Sequence, residues 1–190
     1  MKKAIIIGLL CSVPFAAMAE AQGTPEQERA AKSKAVVKEF AGKLKGELKS
    51  ALKNGGPLNA IQVCNNVAPS IAKELSSKYG WEIARTSLKT RNSNNAPDAW
   101  ETKVLNDFEQ RKANGEKVKE IAYSEVVEEN GTKVFRFMKA IPTSKECLQC
   151  HGEKIDPQVA AKLDELYPND QARGYKKGDL RGAFTIKQPM

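Results

Sequence analysis

The chain has one histidine in 190 residues, and that histidine directly follows a cysteine pair in Cys147-Leu148-Gln149-Cys150-His151. No other feature limits the fold as strongly. Two thiols at this spacing lie on one side of a single helical turn, with the imidazole beside them. The fold must set that turn against a planar group that both sulfurs reach, close the sulfurs on each other, or wrap them round an ion. Cys-x-x-Cys-His is the spacing of covalent haem c attachment. Two thioethers then join one haem, and His151 becomes its proximal iron ligand. Three other readings use the same residues. A thiol–disulfide redox pair normally opens a helix straight after a buried strand, whereas the polar stretch Pro142 to Glu146 comes before Cys147. A zinc site with Cys64 has the right ligand types, but structural zinc ligands usually stand two or more residues apart, and Cys150 and His151 are adjacent. A plain structural disulfide is the third. A multi-histidine metal centre is excluded by count.

The amino terminus supports haem attachment, which takes place outside the cytoplasm. Lys2-Lys3 precede an apolar run, Ala4 to Ala19, interrupted by Gly8, Ser12 and Pro14. It falls short of the roughly 20 apolar residues of a membrane span. With Ala17-Met18-Ala19 at its end it reads as a secretory signal over residues 1–19, cleaved after Ala19. Cleavage would remove Cys11 and leave Cys64, Cys147 and Cys150 in a periplasmic chain with no stable membrane insertion. Residues 20–34 then form a linker and helix start. Lys and Arg number 31 against 23 Asp and Glu, a net +8. The lysines alternate with glutamates, as in Lys38-Glu39 and Lys45-Gly46-Glu47. That is the pattern of a solvated helix face, so nucleic acid is not an expected partner.

Thr24-Pro25-Glu26-Gln27 offers an N-cap, a proline at the first helical position and a glutamine at the third. Val37, Phe40, Leu44, Leu48 and Leu52 then recur at helical steps. Asn54-Gly55-Gly56-Pro57 ends this long helix, and a second runs from about Leu58 to Lys78. Pro69 inside it denies the Asn65 carbonyl a partner and predicts a bend. A strand is expected over 81–87, a polar loop over 89–95 and a helix over 97–112. Strands are expected over 118–128 and 132–141 about the hairpin signal Asn130-Gly131. A helix over 157–166 and a last strand over 180–187 complete an α+β layout with a mostly antiparallel sheet.

The second iron ligand is left open by these residues. A second histidine does not exist, so the candidates are Cys64, Met138, Met190 or none. Cys64 sits on the apolar face of the second helix, where a free cysteine is commonly a small buried hydrophobe.

Several segments together resemble the PAS-like haem c domain family, first described as a domain of unknown function. They are Ala60-Ile61-Gln62-Val63-Cys64-Asn65-Asn66-Val67-Ala68-Pro69, Arg85-Thr86-Ser87-Leu88-Lys89-Thr90-Arg91-Asn92, Asn95-Ala96-Pro97-Asp98-Ala99-Trp100-Glu101, Cys147 to Gly152, and Gly178-Asp179-Leu180-Arg181-Gly182-Ala183-Phe184. The resemblance spans roughly residues 35–188. It implies a PAS-like antiparallel sheet flanked by helices and one haem held covalently by Cys147 and Cys150. His151 and Cys64 are its implied axial ligands. A thiolate ligand favours ferric iron and lowers the potential. Two axial ligands leave no open site for substrate, so the expected role is low-potential electron transfer or redox sensing with a protein partner, not enzymatic catalysis. Arg85, Lys89, Arg91, Asn92 and Arg181 lie in polar segments and are candidates for haem propionate contacts.

Overall fold

The computed structural model describes residues 23–190; the expected signal segment lies outside the described residues. Helix α1 (Pro25–Gln62) opens on Thr24, whose hydroxyl accepts from Gln27 while the Gln27 side chain accepts from the Thr24 N–H. Backbone angles leave the helical range at Gly55 and at Gly56, where φ is +66°. That left-handed angle suits glycine, and it reverses the chain. The returning limb packs Ala60 and Val63 against Ala51, Leu48 and Leu44. Lys78 and Tyr79 reach Glu39 at 2.9 and 2.7 Å, and Lys43 pairs with Glu74. The result is an antiparallel helical hairpin that turns where the Asn-Gly-Gly-Pro sequence requires.

The return limb holds a π-turn (Val63–Val67) between α1 and α2 (Ala68–Tyr79). The Ala68 N–H bonds to the Val63 carbonyl, five residues back. Pro69 has no N–H and crowds the preceding turn, so the backbone widens ahead of it. The expected bend is therefore a π-turn, and Cys64 is its second residue. Such single-turn π-bulges occur frequently at functional sites.

Strands β1 (Glu82–Thr86), β2 (Ala122–Glu129), β3 (Thr132–Pro142) and β4 (Leu180–Pro189) form one antiparallel sheet in the order β1-β4-β3-β2. Alternation sends Phe135, Phe137, Phe184 and Ile186 to the helical hairpin, where they meet Val36, Val37, Phe40, Ile71 and Leu75. Met138, Ala140 and Ala183 face the other way and pack on α3 (Ala99–Ala113) through Val104, Leu105 and Phe108. The expected α+β fold, with an antiparallel sheet flanked by helices and a long amino-terminal helix, is present.

One strand expectation is corrected. Residues Val118–Glu120 form a 3-10 turn, and β2 begins at Ala122. Val118 and Ile121 are both buried. Three residues apart, they share a face in a 3-10 turn but would oppose each other in a strand. Among the described residues no helix is long and apolar enough to cross a membrane.

Gly182 sits in β4 at φ +150°, and a Cβ there would collide with the Thr86 carbonyl oxygen and crowd Ser87. Gly182→Ala is expected to cost about 1–3 kcal/mol of stability, read as a lower denaturation midpoint in urea.

Candidate functional site

Between β3 and β4 the chain leaves the sheet and builds the motif. A turn from Thr143 leads into α4 (Leu148–His151), a single helical turn with Cys147 as its cap. The Cys150 and His151 N–H groups both donate to the Cys147 carbonyl, at 3.2 and 2.9 Å. The cysteines are half-buried free thiols, and the Ser144 hydroxyl lies 3.3 Å from Cys147 Sγ. The motif helix neither follows a buried strand directly nor continues beyond one turn, unlike the setting of a thioredoxin-like pair. Among the described residues no three His, Cys, Asp or Glu side chains gather as a metal cage, so the zinc geometry is not formed.

His151 is oriented by the loop that precedes β4. Its Nδ1 lies 2.8 Å from the Ala172 carbonyl oxygen. A carbonyl only accepts, so Nδ1 carries the proton and donates. The other nitrogen, Nε2, then has a free lone pair. Arg181 Nε faces it at 3.5 Å, so a cationic group stands where a metal on Nε2 would bind. Burial, then the charges of Arg181 and Arg91, hold the His151 pKa well below its usual value, against the opposing bond to Ala172. The ring stays neutral, as a metal ligand must. The Tyr175 N–H donates to the His151 carbonyl at 2.9 Å, and the Tyr175 ring meets the imidazole edge-on at 6.2 Å between centroids. A cysteine pair followed by a neutral, carbonyl-anchored imidazole with an unprotonated Nε2 fits the donor set of a c-type haem, provided the Arg181 side chain moves aside.

The helical hairpin brings Cys64 to the same region. Ile61, one turn earlier, packs with Val159 and Leu163 of α5 (Pro157–Leu166) and with Tyr167, and Cys150 lies against that cluster. A charge on Cys64 would be felt by Arg85, Arg181, Cys150 and Tyr167. Burial pushes the Tyr167 hydroxyl up to about 12, with Cys64 adding to it. Burial also raises the Cys150 thiol, with Arg91 opposing. The other candidates for the second ligand stand elsewhere. Met138 is fully buried beside Leu105 and Phe108, and Met190 is exposed at the terminus.

The five polar candidates separate by environment. Arg85 and Arg181 are half-buried, with their guanidinium pKa values lowered first by burial, and among the described residues no carboxylate pairs with either. They are cations in want of an anion. Arg91 is buried and already engaged: Nε donates to Asp170 at 3.1 Å, and Nη2 donates to the carbonyls of Cys150 and Ala172 at 2.5 and 3.2 Å. Lys89 is exposed, donates to the Arg173 carbonyl at 2.7 Å and lies over the Tyr175 ring. Asn92 caps a short 3-10 turn by accepting from the Asn94 N–H. Arg85 and Asn92 also line a cleft with Pro69 and Ala72, just past the π-turn.

Sequence reasoning did not find Asp170, Ala172, Tyr175 or Tyr167. All come from the stretch between α5 and β4, and the backbone carbonyl of Ala172 carries no side-chain signal at all.

A family model described as Tll0287-like matches residues 17–189. The crystal structure of the cyanobacterial haem protein Tll0287 is similar, with a TM-score of 0.66 and 26% identity, over 88% of this chain and 98% of that one. A comparison with curated proteins finds no match.

Proposed function

This chain belongs to the Tll0287-like family, and from that premise we propose that it is an exported protein with one covalent haem c, acting in low-potential electron transfer or redox sensing. The observation that carries this reading is the His151 hydrogen bond to Ala172, which leaves Nε2 as the unprotonated donor nitrogen, met by Arg181 at 3.5 Å, in the same helical turn as two cysteines. Cys147 and Cys150 would hold the haem as thioethers, and His151 and Cys64 would be the axial ligands. Arg85 and Arg181 are the best placed of the five polar candidates to meet its carboxylates, since neither has a carboxylate of its own.

Bound haem supplies a one-electron iron couple whose potential an anionic sulfur ligand lowers. The chain's own residues fix the conditions. The Ala172 carbonyl sets the His151 tautomer. The Ile61, Val159, Leu163 and Tyr167 cluster limits water near Cys150. Arg85 and Arg181 offset a negative charge at Cys64. If His151 and Cys64 both held the iron, the group would supply electron exchange rather than an open position for substrate. Export through a cleaved signal and a separate protein partner complete the proposal.

Absorption spectra test it. Protein exported from a strain competent in haem c maturation is expected to show a six-coordinate, low-spin c-type spectrum when oxidised. Colourless protein would overturn the reading and leave Cys147 and Cys150 to a disulfide.

The π-turn favours the sensing form of the role. Pro69 lies about one turn from Cys64 and keeps the backbone there widened, so the segment that carries Cys64 can shift by the small distance that an exchange of ligands needs. Reduced protein is accordingly expected to bind carbon monoxide in exchange for Cys64. A reduced form that stays unchanged under carbon monoxide would assign the protein to electron carriage.

A further inference from the structure

We infer that Arg91, held by Asp170, is a positioning residue that sets how tightly the His151 imidazole is anchored; the inference rests on the proposed role of His151 as a ligand. Arg91 lies in the polar loop after β1, and Asp170 and Ala172 lie in the loop before β4. The ion pair Arg91–Asp170 is buried, with 7% and 2% of the two side chains exposed. A buried pair persists only when its remaining polar atoms are satisfied, and both Asp170 oxygens have further partners. Asp170 Oδ1 also accepts from the Ala172 N–H at 2.9 Å, and Oδ2 accepts from Arg173 at 2.9 Å. The Gln171 N–H donates to the Thr90 carbonyl at 2.8 Å, tying the two loops together beside the pair.

The arginine fork then does two things that a salt bridge alone would not. Its Nη2 donates to the carbonyl of Cys150, next to the ligand, and to the carbonyl of Ala172, which accepts the His151 Nδ1–H. One planar group thus spans the carboxylate, the end of the motif helix and the acceptor of the imidazole proton. Lysine can keep the charge opposite Asp170, but as a point donor it cannot hold all three in one geometry. The Ala172 carbonyl, fully buried and fixed from both sides, has no freedom to turn from the ring while Arg91 is in place.

The test follows the Nδ1 proton itself. His151 is the sole histidine, so selective ¹⁵N-histidine labelling gives one imidazole to follow in the reduced, haem-loaded protein. In Arg91→Lys and Arg91→Gln, exchange of the Nδ1 proton with solvent is expected to quicken about five- to tenfold, as the anchoring hydrogen bond opens more often. Backbone amide exchange in the sheet should stay at the wild-type level. Should Arg91→Gln not fold, Arg91→Lys decides, with Asp170→Asn as the second variant expected to move in the same direction. Nδ1 exchange unchanged from wild type in the folded variants would overturn the inference and leave Arg91 a stabilising pair only. Wild-type protein that carries no haem would instead refute the ligand role. The anchoring of His151 by Arg91 is then read from the same resonance in the protein as isolated, because the Ala172 bond does not depend on haem.

Discussion

Cys147→Ala/Cys150→Ala is expected to leave no haem attached after acid-acetone extraction, whereas the parent chain keeps its colour through the same treatment. Both sulfurs lie on one helical turn as free thiols, and among the described residues the Ser144 hydroxyl is the polar neighbour of Cys147 Sγ. No third cysteine lies on that turn to replace them. His151 keeps its Ala172 anchor in the double variant, because that bond comes from the loop before β4 and not from the cysteines. Haem held by ligation alone is extractable, so the measurement separates covalent attachment from binding. The single variants should each retain a fraction, since one thioether remains. Equal haem retention by the double variant and the parent would remove the covalent assignment while leaving His151 and Cys64 available as ligands.

Cys64→Ala is expected to keep the covalent haem and to change the iron's environment completely. The thiolate signature in ferric electron paramagnetic resonance should vanish. The reduction potential should rise by on the order of 0.1 V or more, within the roughly 0.8 V range that axial ligands span. The sign follows from charge: an anionic donor stabilises ferric iron, and its removal favours the ferrous form. Arg85 and Arg181 push the same way, because their positive charges are then no longer offset by the sulfur. The fold should tolerate the change, since Cys64 is half-buried in a π-turn set by Pro69 and alanine retains the backbone. An unchanged ferric spectrum would show that another group ligates the iron. Met138 is a poor substitute: it is sealed into the core on the α3 side of the sheet.

Much of this protein was legible in its sequence, and the reasons are local. The Gly55-Gly56 break, the capping box at Thr24 and the Asn130-Gly131 turn each depend on a few adjacent residues, and all three stand where the sequence put them. Period-two alternation in β3 and β4 divided Phe135 and Phe137 from Met138 and Ala140 without any knowledge of their partners. The motif itself is contiguous, so the chemistry proposed for it rests on five adjacent residues. Val118 to Glu120 reads as strand only because it runs into the Val-, Ile- and Tyr-rich segment that follows, and the shared burial of Val118 and Ile121 decides for a 3-10 turn.

The sequence by itself determined the helical hairpin, the sheet and the single-turn motif Cys147 to His151, because each is encoded over a span that local sterics and periodicity control. Tertiary structure alone decided which nitrogen of His151 is unprotonated, that Arg91 turns inward to Asp170, and that among the described residues Arg85 and Arg181 have no carboxylate partner. Those outcomes rest on contacts between residues up to 81 positions apart and on a backbone carbonyl that every residue possesses. Neither distance nor a carbonyl leaves a mark on composition or spacing, so they exist only once the loop before β4 has closed over the motif.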